Sequence, residues 1–87
     1  MTTLPLILVV EDEFLVRLCA VEIAKGAGFA VIAVATADEA ISVLETRDDI
    51  RLVFTDVDMP GSMNGLKLAQ AVRDRWPPVE LLSLIHI

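Results

Sequence analysis

Cysteine, histidine, basic residues and long apolar runs are all scarce in this chain. The single cysteine, Cys19, allows no internal disulfide and fits a reducing compartment. It sits within an apolar helical pattern, where a small buried hydrophobe is expected. Seven Lys and Arg face thirteen Asp and Glu, for a formal charge of −6. The basic residues (Arg17, Lys25, Arg47, Arg51, Lys67, Arg73 and Arg75) are scattered and form no stripe for a phosphate backbone, so nucleic-acid binding through this segment is not expected. The longest apolar runs, Phe29 to Ala35 and Leu6 to Val10, fall well short of the roughly 18 residues that span a bilayer. No basic segment precedes the first run, so a secretory leader is not expected either. These absences lead to the expectation of a soluble, cytoplasmic protein with no membrane partner. Internal repeats, linkers and low-complexity segments are also missing, and the lone His86 has no metal-ligating neighbour and is assigned no role.

What the chain does have is apolar residues: 55% of its 87 positions, with a mean hydropathy of +0.66. A single domain of this size buries only about 60% of the surface that its unfolded form exposes. A parallel sheet covered on both faces is one way to use so much apolar residue, because its strands read as unbroken hydrophobic runs.

The order of elements supports such a sheet. Leu6-Ile-Leu-Val-Val10 has the form of a doubly buried strand, and the acidic triplet Glu11-Asp12-Glu13 follows it at once. Residues 14 to 27 read as a helix, with Val16, Ala20, Ile23 and Ala27 at helical spacing and Gly28 as the stop. Leu15, Leu18, Cys19 and Val21 widen the apolar stripe beyond what one sheet face requires. Phe29 to Ala35 is a second strand. Thr36-Ala-Asp-Glu39 has the form of a capping box and opens a helix striped by Ala40, Ile41, Val43 and Leu44. Leu52-Val-Phe54 is a third strand ending at Thr55-Asp56, and residues 57 to 64 carry the loop chemistry of Pro60, Gly61 and Ser62. A third helix runs from Gly65 to Arg75 and stops at Trp76-Pro77-Pro78, after which Val79 to Leu82 starts a fourth strand. Alternation with right-handed crossovers predicts a doubly wound α/β domain.

In such sheets ligands bind beyond the carboxyl ends of the strands, where the strand order reverses. Glu11 and Asp12 follow strand one, and Asp56 follows strand three. In the flavodoxin-like order 2-1-3-4-5 those strands are neighbours, so the acids converge. Two carboxylates about 4 Å apart repel by roughly 4 kcal/mol at an effective dielectric of 20. A hard divalent cation relieves that repulsion, and Mg2+ with retained waters suits a few carboxylates. Glu13 reads as an acid favoured by the helix dipole. Thr55 receives no catalytic role, because strand alternation turns its side chain away from that of Asp56. Met63 and Trp76 read as packing residues.

Ile7-Leu-Val-Val-Glu-Asp-Glu13, Thr55-Asp-Val-Asp-Met-Pro-Gly61 and Asn64-Gly65 together resemble the receiver domains of bacterial two-component signalling. Gly28-Phe29 and Ala37-Asp-Glu-Ala40 add to the resemblance, which covers about residues 5 to 82 in the right order. It implies that Asp56 accepts a phosphoryl group from a phosphohistidine of a sensor histidine kinase or a histidine phosphotransfer protein. It implies Mg2+ between the acidic pair and Asp56, with Asp12 as direct ligand, Asp56 also in the ligand set, Glu11 in place of a more usual aspartate and acting through water, and the backbone carbonyl of Asp58 as a further ligand. The domain is then a phosphoacceptor with at most self-catalysed transfer and dephosphorylation, not an enzyme. Val53-Phe-Thr-Asp-Val-Asp58 also resembles the nucleophile motif of haloacid-dehalogenase-like phosphatases, although the downstream lysine of that family has no counterpart. A receiver-like binding module without phosphorylation is the third reading.

Receiver domains have five strands and five helices, so the resemblance implies a domain over residues 1–82 that stops after strand four. Residues 83–87 then form a tail of doubtful origin, since Leu84, Ile85 and Ile87 are apolar where a polar switch residue and loop belong. The switch Thr or Ser and the strand-five lysine of the family are not assigned to any residue. In the family the last helix packs beside the first, so its loss would leave the apolar surface of residues 14 to 27 uncovered.

Overall fold

The computed structural model describes residues 4–56 and 65–84. In chain order the elements are β1 (Leu6–Val10), α1 (Phe14–Gly26), β2 (Ala30–Val34), α2 (Ala37–Thr46), β3 (Ile50–Asp56), α3 (Gly65–Arg75) and β4 (Glu80–Leu84). All three strand pairings are parallel, in the order β2-β1-β3-β4. This is the doubly wound, flavodoxin-like α/β sheet expected from the sequence. β4 is longer than expected at its end, because Ser83 and Leu84 pair in register with Thr55 and Asp56.

β1 runs through the middle of the sheet with all five residues buried, which is why its sequence shows no alternation. Leu6, Leu8 and Val10 point to one face and pack with Ala40 and Leu44 of α2 and with Leu68 and Val72 of α3. Val53 of β3 joins the same layer. Arg75 of α3 reaches Glu45 of α2 at 2.8 Å, but both side chains are about half exposed and the pair adds little. Trp76 packs against the edge of this core, with the Arg75 guanidinium 4.3 Å above its ring.

The helix ends follow the sequence signals with one difference in detail. Gly28 adopts φ 95°, a left-handed conformation that glycine takes without strain, and reverses the chain after α1. At α2 the Glu39 N–H donates to Thr36 Oγ1 at 3.1 Å. The Glu39 carboxylate accepts from the Thr36 hydroxyl at 3.2 Å, where the reciprocal capping box would have it accept from the Thr36 N–H.

The opposite face of the sheet is left largely open, as expected for the apolar surface of residues 14 to 27, and only Cys19 departs from expectation. α1 contains no fully buried residue, Ile23 is 73% exposed, and Cys19 is exposed where a buried hydrophobe was expected. The reason is dimensional. Four strands about 4.8 Å apart span roughly 14 Å, and one helix about 10 Å across cannot cover them. Among the described residues α1 is the only helix on that face, whereas α2 and α3 share the other. An apolar groove of about 450 Å³ therefore lies beside α1, walled by Val16 and Ile23 and floored by Val9, Phe54 and Leu82.

Two substitutions separate the faces. Leu44→Ala should cost about 2–5 kcal/mol in denaturant unfolding, as a buried leucine does. Ile23→Ala should stay within about 0.5 kcal/mol, as surface positions do. A loss at Ile23 as large as that at Leu44 would show that α1 is packed far more tightly than its exposure indicates.

Candidate functional site

The register of the two central strands builds the site. Val10 stands opposite Val34 of β2 on one side and Thr55 of β3 on the other. One residue further along, Glu11 and Asp56 come side by side on strands about 4.8 Å apart. The Glu11 N–H continues the ladder by donating to the Val34 carbonyl at 3.1 Å. Alternation places both acids on the α1 side, above the row of Val9 and Phe54, and leaves Thr55 on the side of Val53. The topology thus brings together residues far apart in the chain, at the point where the strand order reverses.

Both acids are buried: Glu11 is 3% exposed and Asp56 5%. Glu11 Oε1 accepts from the Glu13 N–H at 3.0 Å, but Oε2 is buried with no hydrogen-bond partner. Burial pushes the Glu11 carboxyl above the usual carboxylate range, the Glu13 N–H pulls it back, and the neighbouring Asp12 and Asp56 carboxylates push it up again. Asp12 is exposed at the mouth of the site. Glu13 is the N-cap residue of α1 and its side chain makes no capping bond.

A residue that sequence reasoning passes over also belongs here. Arg17, one turn into α1, donates from Nη1 to the Glu11 carbonyl at 2.8 Å. Only its spacing from the acidic triplet could have signalled this.

Among the described residues, no three Asp, Glu, His or Cys side chains form a group that could hold a metal ion by themselves. A cation here would need few protein ligands and several waters, which is the habit of Mg2+. The orphaned Glu11 Oε2, buried beside a second carboxylate, is the kind of atom that such a hydrated cation satisfies. Asp58, whose carbonyl is expected as a further ligand, lies outside the described residues, as do Met63 and His86.

The fold and the placement of the acids define a doubly wound α/β domain with an acidic site at its switch point. Comparison with known proteins makes the class specific: the response regulator receiver domain matches residues 7–85. The chain belongs to that family. Among curated proteins it is 26% identical over 77 residues to the sensor protein TorS of Escherichia coli. That match takes in 88% of this chain, which spans 8% of the length of that relative. A response regulator receiver protein from Pseudomonas putida superposes with a TM-score of 0.86 at 26% identity, over 98% of this chain and 70% of its own. The response regulator TrrA from Thermotoga maritima, solved in complex with Mg2+-BeF, gives 0.85 at 28% identity, over 92% and 68%. Membership of the receiver family decides against the dehalogenase-like reading. No helix among the described residues is long and apolar enough to cross a membrane.

The strained protonation of Glu11 has a pH signature. Between its ordinary value of 4.5 and its raised folded value, the folded chain keeps a proton that the unfolded chain has released. Stability therefore falls as pH rises through that window and recovers below it. Glu11→Gln keeps the acceptor for the Glu13 N–H and turns Oε2 into a donor toward the neighbouring carboxylates. In metal-free buffer it should raise the thermal midpoint near neutral pH, and the gain should shrink toward about pH 4. A gain that is constant across this range would rule out the titration of Glu11 as its cause.

Proposed function

We propose that this domain is the phosphoacceptor of a two-component phosphorelay. In this reading it receives a phosphoryl group from the phosphohistidine of a sensor histidine kinase or a histidine phosphotransfer protein, and holds it on Asp56 to switch signalling. The observation that carries the proposal is the buried Asp56 at the end of β3, beside Glu11 at the end of β1, in a chain of the receiver family.

The chemistry asks little of the protein. An Asp56 carboxylate oxygen attacks phosphorus, the P–N bond to the donor imidazole breaks, and its electron pair leaves with the ring nitrogen. The product is an acyl phosphate, a covalent intermediate that carboxylates form readily. Burial at the strand end holds the nucleophile for in-line approach, the main requirement of phosphoryl transfer. Bound Mg2+ supplies cancellation of charge on the phosphoryl oxygens. Asp12 and Asp56 would hold it directly, Glu11 through water, and the Asp58 carbonyl would complete the protein ligands. The Mg2+-BeF complex of the Thermotoga maritima relative supports that choice of ion. The domain acts as an acceptor that is at most self-catalysed, and not as an enzyme turning over an external substrate. Its partners are proteins of the cytoplasm.

Incubation with a small acyl-phosphate donor and Mg2+ should add one phosphoryl group by intact mass, and Asp56→Asn should add none. Labelling that survives in Asp56→Asn would remove Asp56 from the role. Calorimetric Mg2+ titration should show a strong loss of affinity in Asp12→Ala and a smaller one in Glu11→Ala. Equal affinity in wild type and Asp12→Ala would place the metal elsewhere.

A further inference from the structure

The turn from β1 into α1 is tied down at Glu11 from three directions. Its N–H is held by the Val34 carbonyl at 3.1 Å, its Oε1 by the Glu13 N–H at 3.0 Å, and its carbonyl by Arg17 Nη1 at 2.8 Å. The first two bonds are local features of a strand end and a helix start. The third is different in kind, because a long side chain returns from the second turn of α1 to reach the main chain. The Arg17 side chain is partly buried, and its guanidinium lies 5.5 Å from the Phe14 ring centroid, so the ring braces the reach on one side. The peptide that Arg17 holds is the one joining Glu11 to Asp12. Fixing that carbonyl fixes the plane of the peptide, and with it the position of the Asp12 Cα from which the exposed carboxylate must reach.

We propose that Arg17 is a positioning residue for the metal-binding turn, acting through the Glu11 carbonyl to hold Asp12 where it meets the cation. The proposal rests on the phosphoacceptor reading above, in which Asp12 is a direct Mg2+ ligand. Arg17 bonds the main chain and leaves the carboxylates to the cation. Residues that orient ligands in this way typically cost 10–100-fold in metal affinity when removed.

The sign of the effect separates positioning from simple electrostatics. Arg17→Met deletes a positive charge beside an acidic cluster while keeping most of the apolar stem. On Coulomb grounds alone that change tightens Mg2+ binding. A positioning role weakens it, by roughly tenfold at the lower end of that range.

The experiment is a calorimetric Mg2+ titration of wild type, Asp12→Ala, Arg17→Met, Arg17→Lys and Phe14→Ala, with the metal-free thermal midpoint measured for each. Weakened binding in Arg17→Met, with Arg17→Lys nearer wild type because its ammonium can still donate to the carbonyl, is the expected result. Phe14 is 62% exposed, so Phe14→Ala should fold even if Arg17→Met does not. By unbracing the guanidinium it should give a smaller loss in the same direction. Unchanged or tighter binding in Arg17→Met overturns the proposal, as does an unchanged Phe14→Ala if Arg17→Met fails to fold. If wild type itself shows no Asp12-dependent binding, the phosphoacceptor reading falls and takes this proposal with it. If wild type depends on Asp12 and not on Arg17, only the proposal is lost.

Discussion

Parallel pairing of β1 with β3 is the constraint on which the rest of the molecule depends. The two strands lie at the centre of the sheet, and their register sets Val10 against Thr55. Everything that follows at the carboxyl end is a consequence: Glu11 beside Asp56, both buried, both on one face. A register slip of one residue would turn either acid to the opposite face and into the apolar layer of α2 and α3. The packing of Leu8, Val10 and Val53 in that layer is therefore what keeps the two carboxylates together. Core packing and site chemistry share one set of strands, and the hydrophobic side stabilises an arrangement that the acidic side opposes.

That opposition is local and measurable in kind. A buried carboxylate oxygen without a partner, beside a second buried carboxylate, destabilises the metal-free fold. A ligand that binds the folded state and relieves the repulsion stabilises it by mass action. Positive charge placed beside the two carboxylates would relieve that repulsion, and three hydrogen bonds tie the turn at Glu11. Arg17 supplies the side-chain tie from α1, beside the backbone tie from Val34 of β2.

Most of the fold was legible because its signals are local and agree with one another. Leu6 to Val10 reads as a buried strand from its continuous apolar run, Gly28 as a stop, and Thr36 with Glu39 as a cap, and each holds in the structure. The meeting of Glu11 with Asp56 was legible only through topology, since the rule about strand order does what spacing in the sequence cannot. α1 marks the limit of this kind of reasoning. Periodicity identifies an apolar face in Val16, Ala20 and Ile23 but says nothing of how wide a sheet they must cover, so Cys19 was expected to be buried and is exposed. Within α3, Leu68 is fully buried and Leu66 is exposed, although the two are the same residue type and only the direction of each side chain separates them. Arg17 was invisible for a similar reason: a scattered base becomes a tether only once the direction of its side chain is known.

The most direct measurement of the central claim is a crystal structure of the protein grown with Mg2+ and beryllium fluoride, a tetrahedral stand-in for the phosphoryl group. The account predicts a fluoroberyllate bonded to an Asp56 carboxylate oxygen, with the Mg2+ contacted by Asp12 and a water bridging to Glu11. A bare Asp56 with the fluoroberyllate on another carboxylate, or a Mg2+ that does not touch the turn after β1, would contradict it.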